Sequence, residues 1–172
     1  MSASWAGEGG IFIALGANLP SELGTPRETL QETLRRLQSA GVAVVARSPW
    51  YASEPVPPSD QPWFVNGVAE VSSELAAEPL LALMHEIEAD LGRVRRERWE
   101  ARVVDLDLID YRGQASDGAL ELPHPRMAER SFVLRPMGDI APSWIHPVTG
   151  KAIADLIAAL PPDAGEVKKL TD

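Results

Sequence analysis

Between Val103 and Ile109 an apolar, β-branched run is interrupted at Asp105 and Asp107. Its composition reads as a strand rather than a loop. Side chains alternate along a strand, so the two carboxylates project from one face. Like charges held roughly 7 Å apart on that face repel unless a cation lies between or beside them. Placing them in a strand therefore costs stability unless something binds them. Immediately upstream, five of the chain's thirteen arginines fall between Arg93 and Arg102, although the formal charge of the chain is -9. Guanidinium groups grip phosphate oxygens and hard carboxylate oxygens hold Mg²⁺, so a polyphosphate carrying magnesium suits the pair of features. The competing reading is a solvated arginine face followed by an Asp-x-Asp turn.

At 172 residues the chain is long enough for one domain with a substantial core. Hydrophobic content of 45% with 24% charged residues is that of a soluble globular protein. There is no cysteine, which excludes a disulfide framework and a cysteine-rich zinc site. Residues 1–10 lack both basic residues and a long apolar run; they read as a disordered leader, not a signal peptide. No stretch reaches the ~18 apolar residues of a membrane span, and the expectation is a cytoplasmic enzyme or binding module. A sequence pI near 4.8 argues against a general nucleic-acid binder.

Taken in order, Ile11–Leu15 is a short buried strand ended by Gly16. Thr25-Pro26-Arg27-Glu28 starts a helix, with Thr25 as N-cap, Pro26 at the first helical position and Glu28 closing a capping box. Leu30, Leu34 and Leu37 form its apolar stripe and Gly41 its stop. Val42–Tyr51 is a second strand, broken near Pro49. The four prolines between Ser53 and Pro62 impose an irregular loop. Phe64–Ser72 is a third strand. A helix beginning at Pro79 carries Leu80, Leu83, Met84, Ile87 and Leu91, with Gly92 expected as a left-handed C-cap. Val103–Tyr111 is the fourth strand. The order βαββαβ predicts an α+β, ferredoxin-like antiparallel sheet with both helices on one face and the other face free for a ligand. Beyond it lies a C-terminal extension: a turn over 113–118, a short strand over 130–134 and a helix over 151–160 burying Ile153, Leu156, Ile157 and Leu160.

Four blocks of the sequence together resemble the 6-hydroxymethyl-7,8-dihydropterin pyrophosphokinase family. They are Ala14-Leu-Gly-Ala-Asn-Leu19, the segment from Ser53 to Asn66, the Arg/Asp stretch 92–107, and the segment from Leu122 to Leu134. The resemblance runs from about Ile11 to Leu160 and implies a single pyrophosphokinase domain over 11–172. It implies transfer of diphosphate from ATP to the hydroxymethyl group of a reduced pterin, with release of AMP, in folate biosynthesis. Asp105 and Asp107 match the family's magnesium-binding aspartates, with two ions expected. Arg93, Arg95, Trp99 and Arg102 match its catalytic loop, Arg95 and Arg102 as phosphate contacts, Arg93 as an ordering residue and Trp99 as a cover that excludes water. His124 and Arg130 match nucleotide-contacting positions, Glu88 a position near adenine, and Leu81 and Leu108 apolar surface near the base. For the pterin, Asn66 offers both a donor and an acceptor to the ring edge. Phe64 and Phe132 match stacking positions, Ser53, Pro55 and Val56 the loop at the ring edge, and Gly16 a position where a missing side chain leaves room. The partners implied are small molecules, with neither nucleic acid nor membrane.

The chain departs from the family pattern at Glu100-Ala101, where Gly-Pro is usual, at Pro57 in place of glycine and at Trp63 in place of a commonly acidic residue. These changes are expected to alter rates and affinities, not the reaction. Two other classes share a ferredoxin-like plan. A nucleotidyl transferase needs a nucleic-acid groove and accessory domains, and an RNA-binding module needs stacked aromatics on a basic surface. An acidic chain with 6% aromatic residues fits neither.

Overall fold

The computed structural model describes residues 10–55, 57–92 and 103–171. A mixed-length antiparallel sheet is built from β1 (Ile11–Ala17), β2 (Ala43–Arg47), β3 (Tyr51–Ser53), β4 (Phe64–Ser72), β5 (Asp105–Tyr111) and β8 (Val167–Lys169), in the order β5-β1-β4-β3-β8 with β2 also on β4. A turn at Arg112–Gly113 follows β5, in keeping with the turn expected over 113–118, and a two-stranded ribbon, β6 (Ser116–Asp117) and β7 (Glu121–Leu122), starts within that stretch and runs past it.

Helix α1 (Pro26–Ser39) starts as its sequence dictates. Thr25 Oγ1 accepts from the Glu28 N–H at 3.2 Å, and Glu28 returns an acceptor to the Thr25 N–H at 2.9 Å. Helix α2 (Ala77–Leu91) begins two residues before Pro79, which therefore falls in the first turn, where a backbone N–H has no helical acceptor to lose. The expected left-handed cap at Gly92 is not formed: its φ is -103° and its N–H donates to the Glu88 carbonyl, continuing the helical pattern.

Alternation sorts the sheet into two faces. Ile11, Ile13, Leu15, Val71, Leu106 and Leu108 pack with Leu30, Leu37, Leu80 and Met84 of α1 and α2, as the ferredoxin-like plan requires. The opposite face is not wholly free. Phe12, Ala14, Val68 and Ile109 are covered by the extension, through α3 (Ser131–Ile140) and α4 (Ile153–Ala158). The short strand expected over 130–134 is instead the start of α3. Val133, Leu134 and Met137 fall three and four residues apart, and this spacing buries all three against the sheet. Arg130 retains extended backbone as the residue before the helix. A bulge in β5 between its pairings with Phe12 and Ile13 brings Asp110 opposite Phe12 on the α3–α4 side. There the fully buried Asp110 accepts from Trp144 Nε1 at 2.8 Å.

Among the described residues, no helix is long and apolar enough to cross a membrane.

Gly67 shows how closely the helix-covered side is packed. A Cβ there would lie 2.6 Å from two ring carbons of Trp50, which is 1% exposed. Gly67→Ala is expected to destabilise the fold by about 1–3 kcal/mol through overpacking. Urea unfolding monitored by tryptophan fluorescence checks it, with a lowered midpoint at unchanged slope.

Candidate active site

The part of the sheet that α3 and α4 leave uncovered is the floor of a cleft of about 400 Å³. Its position follows from the strand register. Gly16 of β1 pairs with Asp105 of β5 on one side and with Asn66 of β4 on the other, while Ala14 pairs with Asp107. Paired residues share a face. Asp105, Gly16 and Asn66 therefore form one row across three strands, with Asp107 one step along the sheet. Adjacent strands lie about 4.8 Å apart, so the first carboxylate and the amide stand roughly 10 Å apart at their backbones. No side chain rises between them.

Asp105 and Asp107 line the cleft and are half-buried. Asp107 is 3.8 Å from the Arg130 guanidinium. Arg130 also lies 5.6 Å from the centre of the Phe132 ring. Among the described residues β5 is an outermost strand with a single strand neighbour, so some of its backbone groups need other partners. The Leu106 N–H, between the two aspartates, finds one in Glu88, whose Oε2 accepts it at 2.6 Å. Glu88 thus ties the end of α2 to the acidic strand, a role with no signal in the sequence because the partners are eighteen residues apart and one of them is backbone.

Asn66 is buried at the other end of the row. Its Oδ1 accepts from the Ser53 hydroxyl. Its Nδ2 points toward Gly16: a Cβ on that glycine would lie 2.7 Å from it. The absent side chain at Gly16 is what lets the amide face the cleft. Ser53, Pro55 and Phe64 complete this wall, and Phe132 reaches it from the first turn of α3.

His124 lines the cleft beyond Asp107 and is fixed at both ends. Its N–H donates to the Ile109 carbonyl at 2.8 Å, and its Nδ1 accepts from the Arg126 N–H at 3.1 Å. The ring proton is therefore carried on Nε2 in the neutral form. Burial depresses its pKa below the ordinary 6.5; the Asp107 charge opposes this, and Arg130 and Arg126 reinforce it.

Eleven residues singled out in the sequence thus meet around one cleft: Gly16, Ser53, Pro55, Phe64, Asn66, Glu88, Asp105, Asp107, His124, Arg130 and Phe132. Leu108 does not join them. Alternation turns it to the opposite face, where it is 3% exposed within the α1–α2 core. Leu81 is partly buried against the same core and likewise does not line the cleft. Val56, Arg93, Arg95, Trp99 and Arg102 lie outside the described residues. Ala14, Leu15 and Glu54 line the cleft without having been singled out. The first two follow from the strand that carries Gly16; Glu54 follows from its place between Ser53 and Pro55.

Among the described residues, no group of three or more His, Asp or Glu side chains is arranged to hold a metal. Two carboxylates on one strand face suit a cation that draws its remaining oxygens from elsewhere. Mg²⁺ is such an ion, since it is usually held by one or two carboxylates together with waters and substrate phosphates.

Known proteins resemble this chain in sequence and in fold. Residues 12–142 match the model of the family described as 7,8-dihydro-6-hydroxymethylpterin-pyrophosphokinase (HPPK). The chain is 41% identical over 153 residues to the 2-amino-4-hydroxy-6-hydroxymethyldihydropteridine pyrophosphokinase of Pseudomonas aeruginosa, covering 88% of this chain and 91% of that one. It is 38% identical over 157 residues to the protein of the same name from Methylorubrum extorquens, covering 90% and 96%. Among solved structures, a crystal structure of Plasmodium falciparum HPPK-DHPS superposes with a TM-score of 0.65 at 12% identity, a likeness of fold. That match covers 87% of this chain and 45% of the Plasmodium chain.

The environment of His124 has a measurable consequence. Followed by NMR, its ring is expected to titrate below 6.5. Asp107→Asn is expected to lower the midpoint further, because it removes the charge that favours the imidazolium. An upward shift in that variant would contradict the assigned environment.

Proposed function

Because the chain belongs to the 7,8-dihydro-6-hydroxymethylpterin-pyrophosphokinase family, we propose that its cleft transfers the terminal diphosphate of ATP to the hydroxymethyl group of 6-hydroxymethyl-7,8-dihydropterin, releasing AMP. The observation that supports this reading is the row Asp105–Gly16–Asn66. It puts an anion-repelling pair of acids, usable only with a cation, within reach of an amide suited to a heterocycle edge, and leaves a bare glycine between them.

On this reading the pterin occupies the Asn66 end. The Asn66 Nδ2 donates to a ring acceptor, while Ser53 holds its Oδ1 and thereby sets the orientation of the amide. Phe64 and Phe132 supply apolar ring surface for stacking. The triphosphate occupies the Asp105–Asp107 end, with Arg130 as its cationic contact among the described residues. His124 offers its Nε2–H as a neutral donor. Arg93, Arg95 and Arg102 are proposed phosphate contacts, and Trp99 a cover, on the strength of their match to the family's loop. Asp105 and Asp107 would hold two Mg²⁺ ions, which supply charge neutralisation at the phosphates and polarise the attacking hydroxyl.

The chemistry left to the protein is alignment and exclusion of water. The pterin hydroxyl oxygen bonds to the β-phosphorus of ATP as the bond from that phosphorus to the α–β bridging oxygen breaks. AMP leaves with the bridging oxygen, and the hydroxyl proton is lost to solvent. Phosphoryl-type transfers of this kind depend mainly on position and charge stabilisation, so a dedicated general base is not required.

An assay of AMP production with ATP, Mg²⁺ and the reduced hydroxymethylpterin, each omitted in turn, tests the assignment; AMP release that does not require the pterin would refute it. Asp107→Ala should abolish nearly all turnover while pterin binding stays measurable. Asn66→Ala should weaken pterin binding by about 1–3 kcal/mol, the cost of an unmade hydrogen bond in a buried site. An unchanged dissociation constant in calorimetry would remove Asn66 from the pterin pocket.

A further inference from the structure

The proline-rich loop that follows β3 has few means of holding its own position. Pro55, Pro57, Pro58 and Pro62 have no N–H to donate, so the loop depends on attachments at its ends. At its far end, the buried Asn18 donates through Nδ2 to Gln61 Oε1 at 3.1 Å and to the Pro62 carbonyl at 3.2 Å. At its near end the attachment is to the C-terminal segment. β8 pairs with β3, Val167 opposite Ser53 and Lys169 opposite Tyr51, and the Leu170 N–H donates to the Trp50 carbonyl at 2.9 Å. One step beyond Ser53, the Glu54 N–H donates to the Glu166 carbonyl at 3.1 Å.

The return bond is unusual in its acceptor. In a regular antiparallel pair the two residues exchange both main-chain bonds. Here the Glu166 N–H donates instead to the Glu54 carboxylate, at 2.8 Å to Oε1. The side chain takes the place of the Glu54 carbonyl and closes the ladder one residue past the end of β3, just before Pro55. Ser53, Glu54 and Pro55 all line the cleft, at its Asn66 end. Glu166 belongs to a segment beyond the stretch matched by the family model, which ends at residue 142.

We infer that Glu54 is a positioning residue for the pterin pocket: by clasping Glu166 it fixes where the proline-rich loop leaves β3, and so sets Ser53 and Pro55 against the pterin edge. This inference rests on the pterin reading of the cleft. The contribution acts through backbone placement, so it requires an acceptor at Oε1 and not a negative charge.

The test is binding of the reduced hydroxymethylpterin to full-length protein saturated with Mg²⁺ and a non-hydrolysable ATP analogue, alongside binding of that analogue itself. Glu54→Ala is expected to raise the pterin dissociation constant by up to about tenfold, the scale of one hydrogen bond, and to leave that of the nucleotide within about twofold, the margin expected where no contact changes. Glu54→Gln, whose amide oxygen can accept the same N–H, should restore pterin binding. Glu166→Pro deletes the donor from the other side and should reproduce the Glu54→Ala selectivity, which keeps the test available if Glu54→Ala folds poorly. Equal losses for pterin and nucleotide, a Gln variant as impaired as the Ala variant, or full pterin affinity in Glu166→Pro would each overturn the inference. Absence of pterin binding in the unsubstituted protein would overturn the functional reading with it, whereas normal binding there and in Glu54→Ala would overturn the clasp alone.

Discussion

The site depends on the antiparallel register of β5, β1 and β4. Main-chain hydrogen bonds between these strands place Gly16 between Asp105 and Asn66. A one-residue slip of β5 against β1 would turn Asp105 and Asp107 to the α1–α2 core and bring Leu106 and Leu108 to the cleft, and a slip of β4 would turn Asn66 away in the same manner. Register is in turn held by burial. Ile13 and Leu15, almost wholly inaccessible, alternate with Ala14 and Gly16 on β1, and cannot exchange faces without exposing the core. The geometry of the acids and the stability of the core are thus consequences of one set of backbone bonds.

The same constraint explains the division of labour between the sheet's two faces. Helices α1 and α2 give the central strands a continuous apolar backing. The C-terminal extension seals the end of the opposite face that carries Phe12, Val68 and Ile109, and stops short of Gly16 and Asn66. What remains uncovered is polar on its floor and edged by Phe64 and Phe132. A cleft of this kind needs support for its acidic strand, because among the described residues β5 has a strand neighbour on one side only. Glu88 provides it by accepting the Leu106 N–H, so a carboxylate from α2 braces the backbone from which the two aspartates project.

Support for the amide end is built differently. Ser53 holds the Asn66 oxygen, β8 adds a strand outside β3, and Glu54 and Asn18 restrain the two ends of a loop rich in proline. A single sheet therefore carries two sub-sites stiffened by separate elements, α2 for the acids and the C-terminal strand for the amide. In a reaction that depends on alignment, such stiffening bears on rate as well as affinity.

Much of this was legible in the residues alone. The capping box at Thr25 and Glu28, the leucine stripe of α1, and the alternation of Asp105 and Asp107 are local patterns whose physics needs no distant partner. The family blocks likewise located the residues that line the cleft. Other features had no local signature. Val133 and Leu134 read as a strand, and became helical because only a helix buries them together with Met137 against the sheet. Leu108 pairs with Ile13 and lies in the α1–α2 core, a burial set by helices distant in the chain. β8, the Glu88–Leu106 bond and the Glu54–Glu166 clasp join segments distant in the chain, each through a backbone group that nearly every residue possesses. The sequence by itself determined which chemical groups are present and, in the regular stretches such as α1 and 105–108, which face of its own element each occupies, since those depend on periods of two and 3.6 residues. Only the tertiary structure decided which faces meet, because backbone hydrogen bonds and burial between distant segments leave no periodic trace.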